Sequence, residues 1–213
     1  MTDEQVTVPR GRHAPPLEVR LNVQRRRLFI AAAAVFSRLG YADASAEAIA
    51  REAGMSKATF YEHFANKEEC ILQLAQLAAA AARNAVAAAV DPDEERFEVR
   101  VEARVRAFLG TIAAFPDVAR VVIVEIIGVG PRGANQRDRM LHEFAEFLDE
   151  ENAVAHETYG APRFAAFDDA YAIVGAIVEL ASRQLRTGVP EDIHELVPVV
   201  ERVVAGALAQ SPR

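Results

Sequence analysis

The chain has 213 residues, enough for one large domain or for a small domain joined to a larger one. Its 51% hydrophobic and 26% charged residues exclude a disordered protein, and its single cysteine, Cys70, excludes an intramolecular disulfide. We find no signal peptide and no charge-free run of about 18 residues that could span a bilayer. We therefore expect a cytoplasmic protein with no membrane partner.

The net charge of -7 is distributed unevenly along the chain. Residues 10–67 contain ten Lys and Arg against five Asp and Glu, whereas residues 71–213 contain 14 against 22. A basic N-terminal part therefore precedes an acidic body. This asymmetry predicts a segment that faces nucleic acid, joined to a body that does not bind it.

The first two predicted segments are an arm and a helix. Residues 1–21 contain Arg10, Arg12, His13 and Arg20 together with three prolines and show no helical period, which predicts a flexible basic arm. Such an arm could reach along DNA or be an ordinary solvated terminus. A first helix is expected to begin after Asn22 and to end at Gly40 in a left-handed cap.

Two short helices should follow in close succession. Ser45 is expected to cap the second helix, and Gly54 supplies the left-handed conformation that a sharp turn after it needs. Ser56 should cap a third helix that ends near Phe64. The small Ala50 allows the two helices to cross closely, so the spacing predicts a helix-turn-helix.

The rest of the chain predicts further helices. Asn66 with Glu69 resembles a capping box that opens a long fourth helix, ending near Val90. Prolines lie close to most of the later helix starts. The later helices are expected at about 93–114, 117–128, 133–158, 163–187 and 191–209. Pro198 should kink the last one or split it into a short helix and a helix from about 198. The predicted fold is all-α, with about nine helices.

The third helix is the predicted DNA-reading element. Its N-terminal end would enter the major groove, where Lys57 can meet guanine and Ala58 can touch a thymine methyl group. Thr59 can bond a base or a phosphate. Phe60 and Phe64 should face the core behind it.

The run from Arg27 to Leu74 resembles the DNA-binding domain of TetR-family transcriptional regulators over about 48 residues. The residues that carry the likeness are Phe36, Gly40-Tyr41, the run Ile49 to Tyr61, and the run His63 to Glu68. The resemblance implies a three-helix DNA-binding domain at residues 22–65, with a larger helical regulatory and dimerisation domain at 66–213.

The same resemblance implies roles for individual side chains on DNA. Tyr61, His63 and Lys67 would bind phosphates, and residues 56–59 (Ser56, Lys57, Ala58 and Thr59) would lie at or near base edges. Ser45 stands where a threonine pair is common in the family, and it follows Ala44. Tyr61 and His63 could instead pack against the first helix.

For the helical body the resemblance implies an internal ligand pocket and a dimer joined through the last two long helices. Several aromatic residues could line an apolar pocket and predict a small hydrophobic or amphiphilic ligand; they are Phe108, Phe115, Phe144, Phe147 and Tyr171. Broad apolar stripes on the last helices suggest a dimer seam, with burial inside the subunit as the alternative; the seam candidates are Ile173, Ile177, Leu180, Val200 and Val204.

Together these features predict a repressor that binds a palindromic operator in double-stranded DNA as a homodimer and is released by its ligand. Control by a protein partner or by no ligand is one alternative, and a helical ligand-binding protein that no longer binds DNA is another. We find no phosphate loop and no nucleophile elbow, and therefore expect no enzyme, catalytic residue or cofactor. His142 and Glu146 could bind a metal but favour a surface role, and Cys70 favours packing over redox sensing.

Overall fold

The computed structural model describes residues 16–209. Within that range the chain forms nine α-helices and two 3-10 turns, with no β-strand, which confirms the predicted all-α fold. The helices are α1 (Leu17–Asp43), α2 (Ala46–Glu52), α3 (Lys57–His63), α4 (Lys67–Ala87), α5 (Phe97–Ala114), α6 (Pro116–Ile123), α7 (Pro131–Tyr159), α8 (Phe167–Thr187) and α9 (Val197–Ala209). The 3-10 turns are Glu125–Val129 and Ile193–Leu196.

Helix α1 begins earlier than the sequence predicted. It starts at Leu17, directly after Pro16, so residues 17–21 of the predicted arm are helical. Pro16 has an extended conformation and lies just before the first turn, where the missing N–H of a proline costs nothing. The predicted arm at residues 1–15 lies outside the described residues. Near the other end α1 kinks at Gly40, which has the expected positive φ of 75°.

Helices α1 to α3 and the start of α4 enclose one hydrophobic core. Its largest fully buried side chains include Phe36, Ile49, Phe60 and Phe64. We call α1 to α3 the N-terminal unit. Val121 of α6 and Ile126 of the first 3-10 turn pack into the same core, so the unit rests directly on the rest of the protein.

We call α4 to α9 the helical body, and its helices α5 to α9 enclose a second core. Helices α7 and α8 pack against each other, and α9 packs on α5 and α8. The predicted interruption near Pro198 is confirmed, because a 3-10 turn at 193–196 precedes α9 and Pro198 falls in its first turn.

Within residues 16–209, one helix is long and apolar enough to cross a membrane by length and composition alone. This is α4, and it packs against α1, α5, α6 and α7. Only 28% of its apolar window is buried inside the protein. The remaining apolar side chains belong to the wall of a cavity that is described below.

Candidate DNA-binding surface and ligand cavity

The turn between α2 and α3 has the capping pattern that the sequence predicted. The Ser45 hydroxyl accepts a hydrogen bond from the Ala48 N–H at 3.1 Å, and the Ser56 hydroxyl accepts one from the Thr59 N–H at 3.0 Å. Gly54 has a φ of 66°, which only glycine adopts without strain. These bonds fix where each short helix begins and therefore how α3 projects from the unit.

Helix α3 is held from behind by aromatic side chains. Phe60 and Phe64 are completely or almost completely buried, and their ring centroids lie 5.4 Å apart. Phe29 of α1 packs on Phe64 at 5.2 Å. Among residues 16–209, nothing covers the opposite side of α3.

The outward side of α3 carries the predicted base-reading residues. Lys57 and Ala58 are exposed, and the Thr59 hydroxyl lies 2.9 Å from the Ser56 hydroxyl. The Lys57 ammonium lies 3.8 Å from Glu47 of α2, with the two side chains 58% and 70% exposed. An exposed pair of this kind contributes little, so it does not prevent Lys57 from reaching a base.

The two aromatic residues late in α3 differ in their surroundings. Tyr61 is 50% exposed and projects from the unit, as a phosphate contact would require. His63 is half-buried, and its ring nitrogen lies 3.3 Å from the Gln24 side chain of α1. His63 therefore contacts the first helix, which was the alternative that the sequence left open.

Lys67 does not have the role that the resemblance implied. Its ammonium donates hydrogen bonds to the carbonyls of Tyr41, Ala42 and Ala44, at 2.8 to 3.0 Å, and lies 4.5 Å from the Tyr41 ring centroid. An ammonium has three N–H groups, and all three are used here. The prediction of a phosphate contact is corrected: Lys67 closes the C-terminal end of α1.

Arg27 is a residue of this region whose role the sequence did not indicate. Its guanidinium donates to the Ala53 carbonyl at 2.8 Å and ties α1 to the end of α2, beside Gly54. Arg27 is the last of three consecutive arginines, and nothing in the sequence indicates which of them makes such a contact.

The helical body contains a cavity of about 1450 Å³. This exceeds the range of about 300–1,000 Å³ that is usual for small-molecule pockets. Its wall is mainly apolar and comes from α4 to α8, with Val204 of α9 and the Asn22 to Ile30 stretch of α1. Along α4 it extends from Glu69 to Val86, about 25 Å at 1.5 Å per residue.

Three of the five predicted pocket residues line this cavity, and two do not. Phe108, Phe115 and Phe144 belong to its wall. The predictions for Phe147 and Tyr171 are wrong, because the two rings lie outside the wall, beside Phe144 and Phe167 respectively. The sequence missed other apolar wall residues, among them Phe29, Ile30, Leu77, Val101 and Ile112.

A charged pair lies at the end of the cavity farthest from the N-terminal unit. Arg104 of α5 belongs to the wall and pairs with Glu151 of α7. The Arg104 side chain is about nine-tenths buried, and this burial lowers the pKa of its guanidinium despite the carboxylate beside it.

Three of the predicted dimer residues are buried inside the single chain. Ile173, Val200 and Val204 belong to the core of the helical body, because the stripes of α8 and α9 pack inward. The dimer prediction is therefore wrong for these three, and the alternative of burial in the subunit applies. Ile177 and Leu180 are half-buried against the same core, and Ile177 lines the cavity.

A chain of polar contacts joins α8 to the N-terminal unit. Arg120 of α6 donates to the Leu185 carbonyl of α8 at 2.9 Å and lies 3.7 Å from the Glu125 carboxylate. The other oxygen of Glu125 accepts the Tyr41 N–H at 3.1 Å, next to the kink at Gly40. A shift of α6, which also lines the cavity, would act on α1 through these contacts.

Two further sequence candidates have structural settings of their own. Cys70 is completely buried, and burial raises the pKa of its thiol to about 12, which makes it unreactive. His142 and Glu146 form an exposed pair at 3.4 Å on α7. Among residues 16–209 there is no group of three His, Cys, Asp or Glu side chains placed to hold a metal ion.

Comparison with known proteins identifies the N-terminal unit. Residues 28–74 match the family model described as "Bacterial regulatory proteins, tetR family". This range covers α2, α3 and most of α1, together with the start of α4. A search of curated proteins gave no match.

Solved structures with the same fold cover most of the chain. FadR from Bacillus subtilis, solved in complex with stearoyl-CoA, has a TM-score of 0.72 and 16% identity, and covers 85% of this chain and 98% of its own. FadR from Bacillus halodurans has a TM-score of 0.70 and 20% identity, and the match covers 85% of this chain and 94% of that one. A tetR-family regulatory protein from Rhodococcus RHA1 has a TM-score of 0.64 and 24% identity, and the match covers 86% of this chain and 96% of that one. The helical body therefore shares the fold of regulators of this kind.

Proposed function

We propose that this chain, which belongs to the TetR family of helix-turn-helix transcription regulators, is a dimeric repressor released by an effector with a long apolar chain. The proposal rests on one observation: the N-terminal unit and the helical body line the same cavity. The cavity of about 1450 Å³ is lined by α1 of the N-terminal unit as well as by the helical body. An occupant of the cavity would touch the unit that binds DNA.

The exposed start of α3 supports base reading by Lys57, Ala58 and Thr59 in the major groove. Ser45 and Tyr61 are exposed on either side of this region and are proposed phosphate contacts. Ser56 is occupied with capping α3 through its hydroxyl, but it remains exposed beside the bases. Phosphate contacts would fix the register, and Lys57 would supply base preference.

A homodimer through α8 and α9 is the second part of the proposal. The outward sides of these helices carry small residues, and a Cβ added at Gly175 or Gly206 would meet no atom of residues 16–209 within 4 Å. A second copy could approach closely there. Two α3 helices about 34 to 36 Å apart would then address a palindromic operator.

The shape of the cavity supports an effector with a long apolar chain. The wall is apolar over most of its length of about 25 Å, and it includes Phe97, Phe108 and Phe144. The B. subtilis FadR structure, which shares the fold, is a complex with stearoyl-CoA. We therefore propose fatty acyl compounds as the effector class. The repressor would act in the cytoplasm, where bacterial DNA lies.

Release requires that the effector bind the form with misplaced α3 helices better than the form that fits the operator, because equal affinity shifts nothing. Helix α6 provides the connection. Its residues Val118 and Val122 line the cavity and also pack on the core of the N-terminal unit. An occupant that displaces α6 would move the Arg120 and Glu125 contacts to Tyr41.

The experiment is a fluorescence-anisotropy titration of the protein on DNA from upstream of its own gene, with stearoyl-CoA added to the complex. We expect the DNA to be released as stearoyl-CoA increases, and coenzyme A without an acyl chain to have no effect. A complex that survives saturating stearoyl-CoA, palmitoyl-CoA and palmitate would contradict the proposed effector class.

A further inference from the structure

The wall of the cavity has a strongly basic end, next to the N-terminal unit. Arg25 and Arg26 come from α1, and Arg137 comes from the second turn of α7. Gln73 and Gln76 of α4 lie in the same part of the wall. The opposite end, beyond the middle of α4, is apolar except for Asn152 and the Arg104 pair described above.

The charges at the basic end are not balanced. Arg137 is half-buried, and its buried Nε has no partner among residues 16–209. Arg26 is exposed and forms no ion pair within that range. Glu69 is the acidic residue in this part of the wall, but it already lies 3.5 Å from Arg132 and accepts from Gln73. A buried donor without an acceptor is costly, so the Nε of Arg137 favours an anionic occupant, and the exposed guanidinium of Arg26 is free to turn toward the same anion.

Arg25 is less available than its two neighbours. Its guanidinium donates to the Gln73 side chain and lies 5.6 Å and 5.7 Å from the ring centroids of Phe29 and Phe64. It is already held in place by these contacts. Arg26 and Arg137 are therefore the groups with free donors at this end.

The far end differs because its arginine is already neutralised. Arg104 is paired with Glu151, and its positive charge is compensated within the protein. Its Nε also lacks a partner, but an anion placed there would face the Glu151 carboxylate at close range. The charge distribution therefore favours binding of an anion at the end near the N-terminal unit.

Additional polar space adjoins the basic end. A smaller cavity of about 220 Å³ shares Glu69, Gln73 and Gln76 with the large one. Its remaining wall includes Arg132 and Arg139 of α7. A head group larger than a carboxylate could extend into it.

We propose that the cavity binds an amphiphile head-first at the N-terminal unit: an anionic head group is held between Arg26 of α1 and Arg137 of α7, and its apolar chain extends along α4. This inference rests on the proposed function and assigns the polar part of its effector. The head group would bridge the DNA-binding unit and the helical body directly. Its binding would then depend on the distance between α1 and α7, which is the kind of differential contact that a switch requires.

The test is a set of dissociation constants for palmitate, palmitoyl-CoA and hexadecanol, measured by isothermal titration calorimetry below the concentrations at which they form micelles. The full-length protein is compared with Arg137→Ala and Arg26→Ala. Arg104→Gln probes the opposite end, and Arg106→Ala on the outside of α5 is the matched control for loss of a positive charge.

We expect the wild-type protein to bind palmitate about tenfold to a hundredfold more tightly than hexadecanol, the range that charge-assisted hydrogen bonds supply. Arg137→Ala should remove most of this preference and leave the binding of hexadecanol unchanged. Arg26→Ala should act in the same direction. A larger loss with palmitoyl-CoA than with palmitate would assign the head group to a phosphate. A loss with palmitate alone would assign it to a carboxylate, because the thioester of palmitoyl-CoA has no carboxylate.

Equal binding of palmitate and hexadecanol by the wild-type protein would overturn the head-group site and leave the apolar effector class intact. A loss of preference in Arg104→Gln but not in Arg137→Ala would overturn the assigned orientation. Failure of all three compounds to bind would overturn both this inference and the proposed effector class.

Discussion

The N-terminal unit and the helical body differ in how completely their interiors are filled. Phe60, Phe64 and Ile49 leave the unit closely packed, whereas the body borders a partly open cavity of about 1450 Å³. A packed interior holds α3 in one position, and an empty one loses contacts that a ligand can restore. The comparison indicates that the N-terminal unit holds α3 rigidly, whereas the helical body can change its packing when a ligand fills its cavity.

The largest effect is expected when the packed unit is given a cavity of its own. Phe60→Ala should lower the free energy of unfolding by about 3–5 kcal/mol, because the side chain is completely buried. Urea denaturation followed by circular dichroism measures this loss. The control is Phe147→Ala, a half-buried ring outside the cavity wall, which should cost clearly less. Similar losses for both variants would show that the unit is not the tighter of the two regions.

Lys67 tests whether the unit is held by its own contacts or by DNA. Lys67→Met should lower the free energy of unfolding by about 2–3 kcal/mol, because three carbonyls of α1 lose a charged donor. Thermal unfolding without DNA measures this, with Lys57→Met as the control that removes an exposed lysine. Unchanged stability together with weaker DNA binding would restore the phosphate role.

Lys57 tests whether the exposed start of α3 reads bases. Lys57→Ala should weaken binding to the matching operator by about 1–3 kcal/mol and reduce the preference for that sequence, because the residue is exposed at the start of α3. Anisotropy titrations on matching and scrambled duplexes measure both quantities, with Arg106→Ala as the control. Equal losses on the two duplexes would assign Lys57 to the phosphates.

The smallest effect concerns the contact between the two regions. Glu125→Gln should reduce the coupling between effector and DNA by about 0.5–2 kcal/mol. The Glu125 carboxylate bridges Arg120 and the Tyr41 N–H, and a neutral amide would hold both more weakly. The coupling is the ratio of DNA affinities with and without stearoyl-CoA. A variant with unchanged coupling would remove these contacts from the path of the signal.

The sequence predicted the N-terminal unit well because local chemistry determines it. Ser45, Ser56 and Asn66 each cap a helix as their residue types indicated, and Gly54 has the positive φ that the turn needs. The start of α1 was missed because Pro15 and Pro16 were interpreted as part of an arm, although a proline also precedes many helices.

The cavity and the dimer side could not be predicted in the same way. Apolar residues that face an empty space have the same periodicity as residues that face a packed core, so Phe108 and Tyr171 look alike in the sequence. The stripes of Ile173 and Val200 were likewise compatible with a seam or with a core. Lys67 was misassigned because its partners, the carbonyls at the end of α1, leave no trace in side-chain identity.

The central claim is that α3 presents a surface that binds a specific duplex. The most direct measurement is the affinity of the purified protein for DNA from upstream of its own gene and for a scrambled duplex, by fluorescence anisotropy at several salt concentrations. The account predicts tighter binding to the first duplex and an affinity for both that falls steeply as salt increases. A protein that binds neither duplex at low ionic strength would contradict it.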